Sequence, residues 1–211
     1  MFATIALAAI SVTPALADPQ FEKLVKFLRK AENQAPYFTG ILNPIPTVYF
    51  KVCPGTAVAN IQIGLLKPVS FNPAGQPISG EWVEHVWLKS CSKVKQFNIH
   101  MQGEADGKPH GRVLIPGSTK TDPVLQNDAM KFVAAGAHAL VAPDCKTQVV
   151  VDTLNLGAEG QPLKGAKLAP YKELWALDAC GKKVQVTMHF APDATGTTIT
   201  VKPEESRAMG K

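Results

Sequence analysis

Two stretches of this chain are versions of one another: EHVWLKSCSKVKQFNIH at residues 84–100 and ELWALDACGKKVQVTMH at residues 173–189. Glutamate, cysteine, lysine, glutamine and histidine occupy the same offsets in both, and only the tryptophan is displaced, by one position. A shared order of residue types at fixed offsets is the signature of an internal repeat. The match therefore predicts two related modules.

Shorter matches precede each stretch. Gly75-Gln76-Pro77 recurs as Gly160-Gln161-Pro162, between the two cysteines of each module. Further upstream, Asp18-Pro19 and Asp122-Pro123 each precede an apolar pattern of helical period. Aspartate at the N-cap and proline at the first helical position favour helix initiation. We therefore expect one helix at the start of each module.

The second helix is expected from about Pro123 to Ala134 and is expected to end near Gly136, which suits a left-handed cap. After each helix the apolar period changes to two, which is typical of strands. The inward residues expected for this helix are Leu125, Ala129, Phe132 and Val133. The expected strands lie near residues 47–52, 58–65, 81–90, 93–102 and 112–115, and near 137–142, 147–156, 171–177, 182–190 and 197–201.

The predicted fold class is α+β, with tandem duplicated modules of one helix plus a four- or five-stranded sheet. The sheets should be mainly antiparallel, because the connections are too short for parallel crossovers. The expected division is a signal peptide (1–17), a first module (18–116), a linker (117–121), a second module (122–203) and a polar tail (204–211).

The N-terminal segment favours export. Residues 1–17 carry no charge and end in Ala15-Leu16-Ala17, the small-residue pattern of a signal cleavage site. The alternative is a buried N-terminal helix. No later segment is apolar for long enough to predict a membrane span in the mature chain. The expected location is periplasmic or secreted.

Export in turn favours disulfides for the four cysteines, Cys53, Cys91, Cys145 and Cys180. The chain has no C-x-x-C motif to indicate a zinc ribbon or a redox site. Four cysteines allow three pairings. The repeat favours Cys53 with Cys91 and Cys145 with Cys180. Pairing Cys53 with Cys145 and Cys91 with Cys180 also respects the repeat and stays open.

Four repeated polar residues are candidates for ligand binding: Gln96, His100, Gln185 and His189. Within each strand they alternate with apolar residues, so they should share one sheet face. Together they could form a pseudo-symmetric platform for a ligand or a metal, with imidazole as ligand. The alternative is a solvated face, because two histidines without a third ligand make an incomplete zinc site. No metal or other cofactor is predicted.

Trp87 and Trp175 are further binding candidates. Each precedes a cysteine by four or five residues, and they could form an aromatic platform or pack in the core beside a disulfide. The carboxylates of Glu81 and Glu84 could serve as acid and base, although solvation is the expectation.

The sequence contains none of the common catalytic motifs that would identify a nucleophile, such as G-x-S-x-G or H-E-x-x-H. The net charge is +5, and lysines lie near the second cysteine of each module. This charge could attract an acidic protein or an anionic envelope polymer. Nucleic acid is not expected as a partner, because the chain has no arginine-rich or aromatic-interleaved basic stripe. The lysines in question are Lys89, Lys93, Lys95, Lys182 and Lys183.

The pattern Trp-x-x-x-x-Cys-Gly-Lys from Trp175, followed by an alternating strand and Asp193-x-x-Gly196-Thr197, resembles uncharacterised exported bacterial proteins. The resemblance covers the last part of the chain and implies no activity. In architecture, tandem helix-plus-sheet modules with one disulfide each are similar to secreted inhibitors of the β-lactamase-inhibitor type, an analogy that assigns no residue a role.

The predicted function is therefore an exported, non-enzymatic binding or interaction protein of the bacterial envelope, with its partner unknown. An enzyme is the less expected alternative, either metal-dependent or hydrolytic, built around His100 and His189. A purely structural envelope component is a third possibility.

Overall fold

The computed structural model describes residues 19–30, 51 and 53–209. The predicted signal peptide, residues 1–17, and nearly all of the strand expected near 47–52 lie outside these residues. The chain divides into two compact units, residues 1–114 and 115–211. The fold is mixed α/β, with two helices and two antiparallel sheets in the described part of the chain.

The first unit contains one helix and a four-stranded sheet. The strands lie side by side in the order β1-β2-β3-β4, and each pairs antiparallel with its neighbour. The elements are α1 (Pro19–Leu28), β1 (Ala57–Phe71), β2 (Pro77–Ser90), β3 (Lys93–Gln102) and β4 (His110–Val113).

The second unit contains one helix and a five-stranded sheet. Four strands lie in the order β5-β6-β7-β8, and a short fifth strand, β9, pairs with β7. The elements are α2 (Pro123–His138), β5 (Gln148–Ala158), β6 (Tyr171–Ala179), β7 (Lys182–Pro192), β8 (Thr197–Val201), a 3₁₀ turn (Pro203–Glu205) and β9 (Arg207–Ala208).

Each sheet buries one face in its own apolar core, as the period-two alternation predicts. We call this the inner face and the opposite one the outer face. In the first unit the inner face of β3 carries Phe97, Ile99 and Met101, each at most 2% exposed. In the second unit the inner faces of β6 and β7 carry Tyr171, Trp175, Leu177, Val184, Val186, Met188 and Phe190.

Helix α2 starts where the sequence predicts and ends later. The side chain of Asp122 accepts hydrogen bonds from the backbone N–H groups of Val124 and Leu125, which caps the helix. The helix continues through Gly136 to His138, so the strand expected near residues 137–142 is wrong. A Cβ at Gly136 would crowd valine side chains of the sheet, and glycine therefore allows close helix–sheet packing rather than capping the helix.

The inward face of α2 also differs from the prediction at one position. Phe132 is 42% exposed, whereas Ala129, Val133 and Ala137 are fully buried. These three residues recur at the four-residue spacing that forms a single stripe on a helix. Phe132 lies one position off that stripe and faces outward.

The predicted linker, residues 117–121, is an integral part of the second unit. The N–H of Ser118 donates to the Thr153 carbonyl over 2.9 Å, and the Thr153 hydroxyl donates to the Pro116 carbonyl over 2.8 Å. Gly117 has a φ of +99°, and a Cβ there would overlap the backbone of Thr153. Because only glycine permits this approach, a stretch with turn composition docks on β5 instead of spanning a gap.

Strand β5 lies at the edge of its sheet, and side chains cap part of that edge. The N–H of Thr153 donates to Asp152 Oδ1, that of Asn155 to Ser118 Oγ, and that of Gly157 to Asn155 Oδ1. These bonds use backbone donors that another strand would otherwise pair with. Over this stretch, β5 is protected against addition of a further strand.

Residues 204–209, predicted only as part of a polar tail, pack against the sheet. The N–H of Met209 donates to the Lys183 carbonyl, and the Thr187 hydroxyl donates to the Glu205 carbonyl. A polar segment can pack on a sheet by forming hydrogen bonds with the polar groups of its outer face. The pattern of apolar residues in the sequence does not reveal packing of this kind. Neither described helix has the length and apolar character needed to cross a bilayer.

The disulfides join Cys53 to Cys91 and Cys145 to Cys180, with Cα atoms 5.6 and 5.8 Å apart. These are the pairs that the repeat favoured. In each unit the second cysteine is the first residue of a two-residue turn, between β2 and β3 or between β6 and β7.

Both turns have positive φ at both of their residues: 49° and 66° at Cys91 and Ser92, and 53° and 80° at Cys180 and Gly181. Paired left-handed residues are typical of type I′ turns, which match the twist of a hairpin. Glycine adopts these angles without strain, whereas serine is less suited to them.

We expect Ser92→Gly to stabilise the protein by about 0.5–1 kcal/mol, because it relieves a left-handed serine. The reciprocal change Gly181→Ser should destabilise it by a similar amount. Urea unfolding of both variants and wild type measures this. A loss of stability in Ser92→Gly would contradict the turn assignment.

Candidate functional site

The outer face of the first sheet carries two of the predicted site residues, Gln96 and His100, and both are half-buried. Asn98, which lies between them on the same face, is only 1% exposed. At Asn98 the alternative of a solvated polar face is therefore wrong. Alternation reveals which residues share a face, but it does not reveal what covers a polar one.

Gln96 belongs to a hydrogen-bonded cluster on this face. Nδ1 of His85 lies 2.6 Å from Oδ1 of Asn98, and the Gln96 amide donates to the same Asn98 oxygen over 2.9 Å. The Trp87 ring lies near His85, with centroids 6.4 Å apart. Cross-strand pairing of β2 with β3 places His85 opposite Asn98 and Trp87 opposite Gln96.

His100 lies further along the same face in an ion-pair network. Its Nε2 is 3.2 Å from Glu81 Oε2, and Lys67 pairs with the other oxygen of Glu81. The hydrogen bond from Lys67, together with His100, holds the pKa of Glu81 below its usual range. Glu81 is thus tied into ion pairs rather than simply solvated.

His189, on the outer face of the second sheet, is held by two carboxylates. Its Nδ1 lies 2.7 Å from Glu159 Oε2 and its Nε2 lies 3.1 Å from Glu205 Oε2. Lys172, opposite His189 on β6, pairs with Glu159 over 3.0 Å. The network therefore ties the C-terminal segment and the β5–β6 connection to the sheet.

The two carboxylates of this network are stabilised in their charged form. Partial burial acts to raise the pKa of Glu159, but hydrogen bonds from Lys172 and His189 outweigh it and lower that pKa. For Glu205, burial likewise acts to raise the pKa, while Lys202, His189 and Lys172 lower it.

The fourth glutamine–histidine candidate, Gln185, accepts a hydrogen bond from Arg207 of β9 over 2.9 Å. Gln185 and His189 share the outer face with Thr187, which is 6% exposed. The C-terminal segment therefore partly covers the second predicted polar face. His100 belongs to the first unit and His189 to the second, and each is bound by carboxylates of its own unit.

The two candidate tryptophans lie on opposite faces of their sheets. Trp175 is fully buried on the inner face of β6, so its side chain forms no exposed platform. Trp87 is half-buried on the outer face of β2. A displacement of one residue reverses the face in a strand, and the matched tryptophans of the repeat are therefore not structural equivalents.

Two buried glutamates are the main polar groups that sequence reasoning missed. Glu84 and Glu173 are 1% and 0% exposed, so the expected solvation of Glu84 is wrong. Each accepts a hydrogen bond from a buried indole N–H: Trp82 to Glu84 over 2.7 Å and Trp175 to Glu173 over 2.9 Å. Their shared offset from the second cysteine was the available signal.

Glu173 also receives hydrogen bonds from the docked segment before α2. The Thr119 hydroxyl donates over 2.8 Å and the Lys120 N–H over 2.6 Å. With the indole of Trp175, three donors satisfy the buried carboxylate. Glu173 thus holds the 117–121 segment to the sheet, which is a structural role.

The turns that carry the second cysteines differ in charge. We call residues 88–95 the first hairpin end and residues 177–184 the second hairpin end. Relative to the cysteine, Lys89 occupies the position of Asp178, and Val94 that of Lys183. In the second hairpin end Lys183 pairs with Asp178 over 2.8 Å, which lowers the pKa of Asp178.

Two lysines of the first hairpin end, Lys89 and Lys93, are unopposed. Lys89 and Lys93 are exposed, Val94 is 58% exposed, and no carboxylate lies within residues 88–95. Neither lysine forms an ion pair with another residue of the described chain. Lys51 lies beside the turn, because its carbonyl accepts a hydrogen bond from the Ser90 hydroxyl.

Across residues 19–30, 51 and 53–209, no group of three or more His, Cys, Asp or Glu side chains is arranged to hold a metal ion. The cluster around His189 contains two carboxylates, but these engage the imidazole and lysines.

We expect Glu173→Leu to cost about 3 kcal/mol or more, because it leaves buried donors without an acceptor. Glu104→Leu, on an exposed loop, should change stability by less than about 0.5 kcal/mol. Denaturant unfolding compares them. Similar losses in both variants would refute the role assigned to Glu173.

Glu159→Gln should alter the acid dependence of stability. A carboxylate whose pKa is lowered in the fold stabilises it at neutral pH, and that contribution disappears as pH falls through the lowered pKa. The variant should therefore be less stable than wild type near neutrality, with the gap closing between about pH 5 and pH 3. Thermal melts across this range test it, with Glu204→Gln as a surface control. A gap independent of pH would contradict the network.

Comparison with protein-family models, curated proteins and solved structures finds no match to this chain. What the protein binds is therefore inferred from its own residues.

Proposed function

We propose that this is an exported, non-enzymatic binding protein of the bacterial envelope, and that its first hairpin end binds an anionic envelope polymer. The observation that carries the proposal is the unopposed charge of Lys89 and Lys93. Exposed lysines close together attract polyanions and increase their local concentration.

The second hairpin end supports this by contrast. It has the same turn geometry and the same type of disulfide, yet Asp178 neutralises Lys183, and Lys182 donates to the Leu140 carbonyl over 2.7 Å. The fold therefore does not require free lysines at this position. Their retention at Lys89 and Lys93 favours a role in binding.

The disulfide also prepares the first hairpin end for binding. Cys91 anchors the turn to Cys53, and the N–H of Cys53 donates to the Ser90 hydroxyl over 2.9 Å. A restrained turn loses less conformational entropy on binding than a flexible one. The backbone that carries Lys89 and Lys93 is thus restrained before binding.

Export is supported by two within-unit disulfides, which persist in oxidising compartments. The charge-free segment 1–17 favours it independently. We further propose that the two units arose by tandem duplication. Shared sequence offsets, two type I′ turns with a cysteine in the first position and one buried glutamate–indole bond per unit support this origin.

The enzyme alternative has weaker support. The carboxylates that contact His100 and His189 also form ion pairs with lysines. This arrangement favours a structural role, in which the ion pairs link neighbouring strands. Neither ring hydrogen-bonds to a serine, threonine or cysteine within the described residues. Structural ion-pair networks of this kind are common on sheet surfaces.

The test is fluorescence anisotropy of labelled dextran sulfate, with neutral dextran as reference. Lys89→Glu/Lys93→Glu should weaken binding at least about tenfold at low salt, because two attractive charges become repulsive. The matched control is Lys23→Glu/Lys131→Glu, which replaces one exposed lysine on each helix, changes the net charge equally, and should change affinity by less than about threefold.

Equal losses in both double variants would show that net charge alone drives binding and would overturn the proposal. Absence of any dextran sulfate binding by wild type would overturn it as well. Melting temperatures of the variants establish that they are folded.

A further inference from the structure

The connection between β5 and β6 is longer than its counterpart in the first unit. There, Gly75-Gln76-Pro77 leads directly into β2, which begins at Pro77. In the second unit, Gly160-Gln161-Pro162 is followed by residues 163–170, LKGAKLAP, before β6 begins at Tyr171. We call residues 163–170 the insert. The first unit shows that a hairpin of this kind forms without it.

The insert stands on a fixed base. The N–H of Glu159 donates to the Pro170 carbonyl over 2.6 Å, which closes the loop. Within it, the N–H of Ala166 donates to the Leu163 carbonyl over 2.9 Å, which forms a tight turn. Gly165 lies against Ala194 of the β7–β8 connection, since a Cβ on it would lie 3.0 Å from the Ala194 Cβ.

This anchored loop exposes leucines beside lysines. Leu163 and Leu168 are 45% and 57% exposed, and Leu156 at the end of the neighbouring strand is 50% exposed. Lys164 and Lys167 are exposed, and neither forms an ion pair within the described chain. Leucines exposed in this way are not needed for the core, which favours an interaction role.

Two carboxylates adjoin the insert, one just before it in sequence and one beside its contact at Ala194, and both form hydrogen bonds or ion pairs. Glu159 pairs with His189 and Lys172, and Asp193 accepts hydrogen bonds from the backbone N–H groups of Thr195 and Gly196 in its own turn. The bonds within that turn lower the pKa of Asp193 and so keep this exposed carboxylate charged. The insert itself carries two lysines and no carboxylate, so its own side chains are apolar or positive.

We propose that the insert docks on the surface of an anionic phospholipid bilayer. Leu163 and Leu168 enter the headgroup–acyl boundary, while Lys164 and Lys167 contact lipid phosphates. Leucines bind such a boundary by apolar burial, and adjacent lysines add electrostatic attraction to anionic lipid. The charge favours this occupant over an uncharged apolar partner. The inference goes beyond the proposed function, which concerns the first hairpin end.

A contact of two leucines and two lysines gives reversible binding. Burying the exposed part of each leucine and bringing each lysine near anionic lipid should together change partition about a hundredfold. Loss of the leucines should lower partition about tenfold, and loss of the lysines should do the same at low salt. Salt should weaken the lysine contribution and leave the leucine contribution intact.

Co-sedimentation with vesicles tests this, using phosphatidylcholine with phosphatidylglycerol against phosphatidylcholine alone. The full chain should bind the anionic vesicles, Leu163→Ser/Leu168→Ser should bind about tenfold less, and Lys164→Gln/Lys167→Gln should lose binding in a salt-dependent manner. The matched control, Leu66→Ser/Val113→Ser, removes two side chains of similar exposure, 43% and 39%, from the first unit and should bind like wild type.

Vesicle binding that is unchanged in Leu163→Ser/Leu168→Ser overturns the inference, as does equal loss in the control. If wild type binds dextran sulfate but not anionic vesicles, this inference fails while the proposed function stands. If wild type binds vesicles through the insert but does not bind dextran sulfate, the proposed function fails while this inference stands. A wild-type protein that binds neither overturns both. Circular dichroism melts confirm that each variant is folded.

Discussion

The two-residue turns at Cys91 and Cys180 set the register of the central hairpins, and most other features follow from that register. In each hairpin the pairing runs without a shift from the turn along its length, from Ser90 with Lys93 and from Ala179 with Lys182. A slip of one residue would transfer every inner side chain to the outer face. The disulfide at each turn ties it to the chain that leads into the first strand of the same unit.

The same register brings the buried glutamates to the inner faces and the histidines to the outer faces. Glu84 lies opposite Ile99, and Glu173 lies opposite Met188, so each carboxylate enters an apolar core. A buried carboxylate is tolerated only when donors surround it. At Glu173 two of the donors belong to residues 117–121, which the sequence alone assigns to a linker. The need for donors therefore also holds this segment against the sheet.

Much of the hairpin architecture could be predicted from residues 84–100 and 173–189. Alternation assigns Ile99 and Met188 to the core correctly, and the repeat favours the disulfide pairing that the structure has over one alternative that also respects it. Alternation does not reveal what covers an outer face, which is why the burial of Asn98 was not predicted. It also gives no warning that a tryptophan displaced by one residue changes face.

Other features escaped prediction because they depend on contacts distant in the chain. Residues 117–121 have turn composition, and only the approach of Gly117 to Thr153 shows that they pack on a strand. Residues 204–209 are mostly polar, and bonds to Thr187, Gln185 and His189 hold them to the sheet. The sequence contains the insert, but it does not show that the leucines of the insert are exposed. Their candidacy for binding therefore depends on the structure.

The confinement of each disulfide to one unit also bears on how the chain acquires its bonds. A polypeptide emerges N-terminal end first, and domains generally fold as units. Cys53 and Cys91 can therefore be oxidised before the partners Cys145 and Cys180 have appeared together. A type I′ turn forms from residues that are adjacent in sequence. The hairpin of each unit therefore positions the second cysteine of that unit for disulfide formation. Maturation can then proceed one unit at a time, without a need for enzymes that exchange bonds between the halves.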